Sequence, residues 1–161
     1  TLLNTLTGAG VLSEDKLFAT LDTRARRLWL PDGRAAVLTD TVGFIRDMPK
    51  ELFAAFRATF EETADADLVL EVIDGSDPEQ DAHSQTTRGL LRDLGLDGIP
   101  LLSVWNKVDL LEASARESLE MSEDAVAISA LDKRSTRVLL ERIQSLLPAE
   151  TEEEPASEAI R

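Results

Sequence analysis

Cysteine and tyrosine are absent from the 161 residues, and histidine occurs once. Without a thiol there can be no disulfide framework and no thiolate metal centre. A single histidine leaves little scope for an imidazole zinc site or a histidine-based nucleophilic triad. No apolar run reaches the roughly 20 residues needed to span a bilayer, so no membrane partner is expected. The missing cysteines fit a cytoplasmic location. Hydrophobic residues make up 43% and charged residues 30% of the chain, the balance of an ordinary globular domain. The length suffices for one domain with a core of its own.

Positive charge is scarce: 17 Lys and Arg stand against 31 Asp and Glu, for a net charge of −14. The imbalance is uneven, with 7 basic and 6 acidic residues in positions 1–50 and 10 against 25 in positions 51–161. The acidic part repels phosphate backbones, which argues against direct nucleic-acid binding there. Arg24, Arg26 and Arg27 cluster in the near-neutral part. They read as a solvated strand edge, with a contact surface for an anionic partner as the alternative.

The pattern predicts alternating elements. "TLLNTLTGAG" reads as the tail of a helix stopped by Gly8, and residues 11–26 as a loop. "RRLWLPDGRAAVLTD" reads as a hairpin turning at Pro31-Asp32-Gly33, and "MPKELFAAFRATFEET" as a helix with Phe53, Phe56 and Phe60 inward. "DLVLEVIDGS", "IPLLSVWNKVD" and "AVAISAL" read as strands. Helices are expected over "DPEQDAHSQTTRGLLRDLG", within 111–124 and over "STRVLLERIQSLL". Such alternation means a parallel, doubly wound α/β sheet with an antiparallel pair at one edge. Residues 1–148 form the domain, and 149–161 read as an acidic, disordered tail. In these sheets ligands gather at the carboxyl ends of strands, where the unusual polar residues of this chain fall.

In "NKVD", a carboxylate at Asp109, held past a strand end, can accept two parallel hydrogen bonds. Guanine offers such a pair through N1–H and its exocyclic amine, and adenine does not. A dry site would discriminate by about 10⁴-fold. Asn106 can bond the base edge or tie neighbouring loops together, and the methylenes of Lys107 can cover the purine face. The rival reading is a polar loop with Asp109 capping a helix. In "TDTVGF", Asp40 closes a strand and can hold magnesium through a bound water. Gly43, three residues on, has no Cβ to keep its amide from a terminal phosphate. In "ISAL", the small Ser129 and Ala130 let a backbone amide reach the guanine carbonyl. In "LFATLD", the Thr20 hydroxyl can ligate magnesium while its amide meets the phosphate, with Thr23 as the nearest rival.

Taken in order along the chain, these pieces resemble a translation-factor-type GTPase. More narrowly, "LFATLD", "LTDTVGFIRDMP", "AAFRATFEE", "ADLVLEVIDGSDP" and "WNKVDLL" resemble the G domain of the HflX family, close to Obg, from Thr1 to about Leu147. The resemblance implies the three-layer P-loop NTPase fold, a mostly parallel sheet with one antiparallel edge hairpin. It implies GTP as substrate and GDP as product, Mg²⁺ as cofactor, and a monomer. It also implies binding to the large ribosomal subunit, with splitting or rescue of stalled ribosomes. By the same resemblance, Thr20 and Gly43 are catalytic. Asp40, Thr41, Val42, Gly43, Asn106, Lys107, Asp109, Ser129, Ala130 and Leu131 contact GTP, and Thr20 and Asp40 serve the metal. Residues 11–26 and 43–50 would be the two switch segments.

Against the family pattern, no G-x-x-x-x-G-K-[ST] loop occurs in these residues. The expectation is a G domain lacking its first strand and phosphate-binding loop. That strand would lie between the strands ending at Asp40 and Asp74, and the region that contacts the ribosome would also lie outside these residues. Phe44 stands where many GTPases carry a water-orienting glutamine, which implies slow intrinsic hydrolysis. "TRARR" follows "FATLD" in place of a proline, and "DKRS" follows "SAL" in place of a glycine turn. The alternative to an enzyme is a degenerate, non-catalytic module that binds a protein partner. An ATPase of similar fold fits "NKVD" less well.

Overall fold

The computed structural model describes residues 1–8, 24–40, 65–122 and 124–148. Helix α1 (Leu2–Thr7) stops at Gly8, whose φ of 66° is the left-handed conformation that glycine adopts without a Cβ penalty. Strands β1 (Arg24–Trp29) and β2 (Ala35–Asp40) form an antiparallel hairpin. Its turn closes through the Leu30 N–H donating to the Arg34 carbonyl at 2.9 Å, with Gly33 at φ 89°. Asp32 fixes the turn by accepting from the Arg34 backbone N–H at 3.0 Å and from its Nε at 2.7 Å. β1 begins inside the loop expected over 11–26, because Arg24 and Ala25 are drawn into the ladder opposite Asp40 and Thr39.

Strands β3 (Val69–Asp74), β4 (Leu101–Asn106) and β5 (Ala125–Ala127) form a second, all-parallel sheet in the order β3-β4-β5. Helix α2 (Gln80–Asp93) connects β3 to β4, α3 (Ala113–Glu120) connects β4 to β5, and α4 (Lys133–Leu146) follows β5. β5 is shorter than expected: after Ala127 the chain leaves the ladder, so Ile128–Leu131 is a turn rather than the end of a strand. The helix expected over 48–63 lies outside the described residues.

Among the described residues, β2 and β3 share no ladder, so hairpin and parallel sheet are separate sheets. One core nevertheless holds them together. Leu28 and Leu30 from the hairpin, Leu102 and Val104 from β4, Val126 and Ile128 from the β5 region, and Leu139 and Ile143 from α4 make a single buried cluster. Leu2 and Leu6 of α1 and Leu146 of α4 pack against it. The i, i+4 spacing of Leu139 and Ile143 puts both on one helical face. Asp132 caps that helix by accepting from the Arg134 N–H at 2.9 Å.

Helix α2, whose Leu90 and Leu91 are buried, packs on β3, and here a charge is buried. Glu71, on β3, is only 6% exposed. Its carboxylate accepts from Ser84 Oγ at 2.7 Å, from Ser103 Oγ at 3.1 Å and from the Arg88 guanidinium at 3.4 Å. A buried carboxylate is tolerable only when satisfied in this way. The strand segment "VLEVID" therefore interrupts an otherwise apolar run for a reason that lies in α2 and β4.

Leu139→Ala should lower stability by about 2–5 kcal/mol through lost burial and the cavity left behind. The neighbouring, exposed Val138→Ala should change it by less than about 0.5 kcal/mol. Urea unfolding midpoints test the pair; equal effects would contradict the placement of α4 on the core.

Candidate functional site

The carboxyl ends of β3, β4 and β5 bring together residues that are far apart in sequence. Asp74 and Asn106 are directly opposite in the parallel ladder. The Gly75 N–H donates to the Asn106 carbonyl at 2.8 Å. A Cβ at Gly75 would stand 3.0 Å from that oxygen and 3.3 Å from Leu111 Cδ1, so a larger residue there would crowd the close approach of the two strand ends.

After Asn106 the backbone turns sharply. Lys107 has φ 62°, the left-handed region, and is the one non-glycine residue with positive φ among the described residues. A short 3₁₀ helix (Val108–Leu110) carries Asp109, which is exposed. Asp109 thus lies within this turn rather than at a helix N-cap. Two contacts hold the turn. The Val108 N–H donates to the Ile128 carbonyl at 3.2 Å. The Arg116 guanidinium donates to the Val108 carbonyl through Nε at 3.1 Å and Nη2 at 2.8 Å.

The turn after β5 is fastened to this loop. The Ala130 N–H donates to Asn106 Oδ1 at 2.9 Å. Of the two uses that the sequence left open for Asn106, this is the tie between loops. Ser135 Oγ accepts from the Ser129 N–H at 3.1 Å and lies 2.9 Å from the Ser129 carbonyl. Thr5 Oγ1 of α1 donates to the Ala130 carbonyl at 2.9 Å. Ser129 and Ala130 are buried, while Leu131 is 81% exposed.

One contact was not anticipated from the sequence. Lys107 Nζ donates to Asp74 Oδ2 at 2.7 Å. The other oxygen, Oδ1, accepts from the Ser76 N–H at 3.0 Å and from Ser76 Oγ at 2.7 Å. Burial works to raise the Asp74 pKa, but the hydrogen bonds from Lys107 and Ser76 outweigh it and hold the carboxyl below its ordinary value. The Lys107 ammonium is held above its ordinary value by the hydrogen bond and charge of Asp74, with Asp109 and Asp77 adding to it. The sequence signal that could have revealed Asp74 is its place at the end of the strand next to β4, but strand order had to be known first.

Asp40 lies exposed at the end of β2. Thr20 and its rival Thr23, as well as Thr41, Val42, Gly43 and Phe44, lie outside the described residues, as do residues 11–23 and 43–50 of the expected switch segments. No cluster of three acidic or histidine side chains suited to a metal occurs among the described residues. A lone strand-end carboxylate suits a cation that keeps most of its own water, as magnesium does.

Residues 1–107 match the family model described as "50S ribosome-binding GTPase". The chain belongs to that family, as a G domain of the HflX type. The HflX relatives include "GTPase HflX" of Caldanaerobacter subterraneus subsp. tengcongensis, 49% identical over 152 residues, covering 94% of this chain and 35% of that protein. "GTPase HflX" of Escherichia coli K12 is 46% identical over 112 residues, covering 70% of this chain and 26% of that protein. The HflX-type chain thus spans about a third of the length of the first of these relatives. Among solved structures, one described as a complex of SsGBP and GDP superposes with a TM-score of 0.70 at 28% identity, covering 91% of this chain and 45% of that one. The expected fold, an α/β G domain with a parallel sheet and an antiparallel hairpin, is the one observed.

Lys107→Ala should raise the Asp74 pKa, since burial remains while its main opposing contact is lost. The Asp74 stabilisation is present above the ordinary carboxylate pKa near 3.8 and fades as pH falls through the lowered folded value. A carbon-detected NMR titration of the carboxyl group tests the shift, and an unmoved midpoint would contradict the pairing.

Proposed function

We propose that the chain is the guanine-nucleotide-binding part of a GTP-hydrolysing, HflX-like enzyme. The observation that carries this reading is the fastening of the "NKVD" turn to the Ser129–Ala130 turn through Asn106 and Ala130. That bond fixes two strand-end loops in one arrangement before any base arrives. Asp109 would accept from guanine N1–H and the exocyclic amine, and Asn106 would present its amide donor to the base. The Lys107 stem would lie across the ring. With the Ala130 N–H engaged by Asn106, the Leu131 amide would be the one to sit near the base carbonyl.

GTP would be hydrolysed by in-line attack of water on the γ-phosphorus. Catalysis of this kind rests on positioning and on stabilising charge over the transferred oxygens. Gly43 would bring its amide to the terminal phosphate, and Thr20 would close over it, with Thr41 and Val42 lining the approach. Asp40, through water, and Thr20 would hold Mg²⁺, which when bound supplies positive charge to the phosphate oxygens. The SsGBP–GDP complex supports nucleotide binding by this fold. The family description supports the large ribosomal subunit as partner; the enzyme would act there as a cytoplasmic monomer. Residues 1–148 would form the folded G domain, with 149–161 as an acidic tail.

The second reading, a non-catalytic module, draws on the absence of G-x-x-x-x-G-K-[ST] from these residues. The arrangement of Asn106, Lys107 and Asp109 counts against it, because a scaffold has no need of a base-selective carboxylate.

Two measurements test the proposal. These 161 residues alone should bind GTP weakly, since most phosphate contacts in such enzymes come from that loop; micromolar or tighter binding in a nucleotide titration would contradict this. In the protein at its natural length, Asp109→Asn should weaken GTP by up to about 10⁴-fold and shift preference toward xanthosine triphosphate. An unchanged base preference would overturn the assignment.

A further inference from the structure

We infer that Asp74 is a positioning residue of the purine site: it holds the end of the Lys107 side chain, and so the posture from which its methylenes cover the base. This rests on the guanine-site reading above and adds to it a residue outside the "NKVD" and "SAL" segments. Three observations support it. The first is geometric: Asp74 and Asn106 end adjacent parallel strands in register, so the carboxylate stands beside the root of Lys107. The second is division of labour within one carboxylate. Oδ1 is clamped by the Ser76 N–H and hydroxyl, while Oδ2 takes the Lys107 ammonium at 2.7 Å. The Ser76 bonds restrain the carboxylate, so it acts as an anchor for the lysine. The third is the backbone: Lys107 sits at φ 62°, a conformation with little freedom, so its side chain leaves from a fixed point as well.

A free lysine samples many rotamers, and a base that must order it loses affinity accordingly. With both ends of the side chain held, that ordering is already done. The pair is half exposed, so its electrostatic worth in itself is modest; its effect is on the posture of the stem. Because the stem covers the ring face and not its edge, Asp74 should govern affinity for purine nucleotides without altering which base is chosen.

The test is a double-mutant cycle on the natural-length protein, read by titration with GDP and inosine diphosphate. Asp74→Asn keeps an oxygen for Ser76 and places an amide donor against the ammonium, so it removes the anchor and spares the turn. It should weaken GDP by about three- to ten-fold and weaken inosine diphosphate by the same factor. In the Lys107→Ala background, Asp74→Asn should have no further effect. Ser76→Ala, which loosens the carboxylate but keeps both charges, should give a smaller loss in the same direction. Unchanged GDP affinity in Asp74→Asn, or an equal loss in the Lys107→Ala background, would overturn the inference. Asp109→Asn in the same titrations separates the two readings: if it leaves the ratio of GDP to inosine diphosphate affinity unchanged, the guanine site itself is wrong and the role of Asp74 falls with it.

Discussion

The hydrogen bond from the Ala130 backbone to the Asn106 side chain is the constraint on which the site depends. It joins the loop after β4 to the loop after β5, two segments separated by the whole of α3. A base-selective carboxylate is useful only if its position relative to neighbouring backbone amides is fixed. Without this bond, the position of Asp109 relative to the Ser129–Ala130 turn would be set less tightly. Val108 donating to Ile128 adds a second tie between the same loops, and Thr5 brings α1 to the far side of Ala130.

These ties work because the strands beneath them are held rigidly. Val104 and Ile128 are fully buried, one just before the Asn106 turn and the other just before Ser129. Both belong to the cluster that α4 seals with Leu139 and Ile143. Close packing of this kind leaves little room for the strand ends to shift. The polar site therefore sits directly on the apolar core, and the same core joins the hairpin that ends in Asp40 to the parallel sheet. Loops at the carboxyl ends of parallel strands are where such folds place ligands.

Much of this was legible in the sequence. The 3.6-residue spacing of Leu139 and Ile143, the turn at Asp32-Gly33 and the sequence "NKVD" after an apolar run each carry a local signal. What could not be read locally depends on which strands are neighbours. Asp74 looked like the plain end of a strand until the parallel register set it beside Asn106. Glu71 sat unremarked in an apolar run, since its partners Ser84, Arg88 and Ser103 come from α2 and β4. The start of β1 at Arg24 and the early end of β5 at Ala127 were misjudged for the same reason: pairing, not propensity, sets strand ends.

Strand-end loops, tied together before binding, would form one seat for guanine. A crystal structure of the natural-length protein with GDP tests this most directly. The base should lie against Asp109, with guanine N1 and N2 each about 3 Å from its carboxylate and the Asn106–Ala130 bond retained. A base seated away from Asp109, or an Asn106 side chain that releases Ala130 when nucleotide binds, would contradict it.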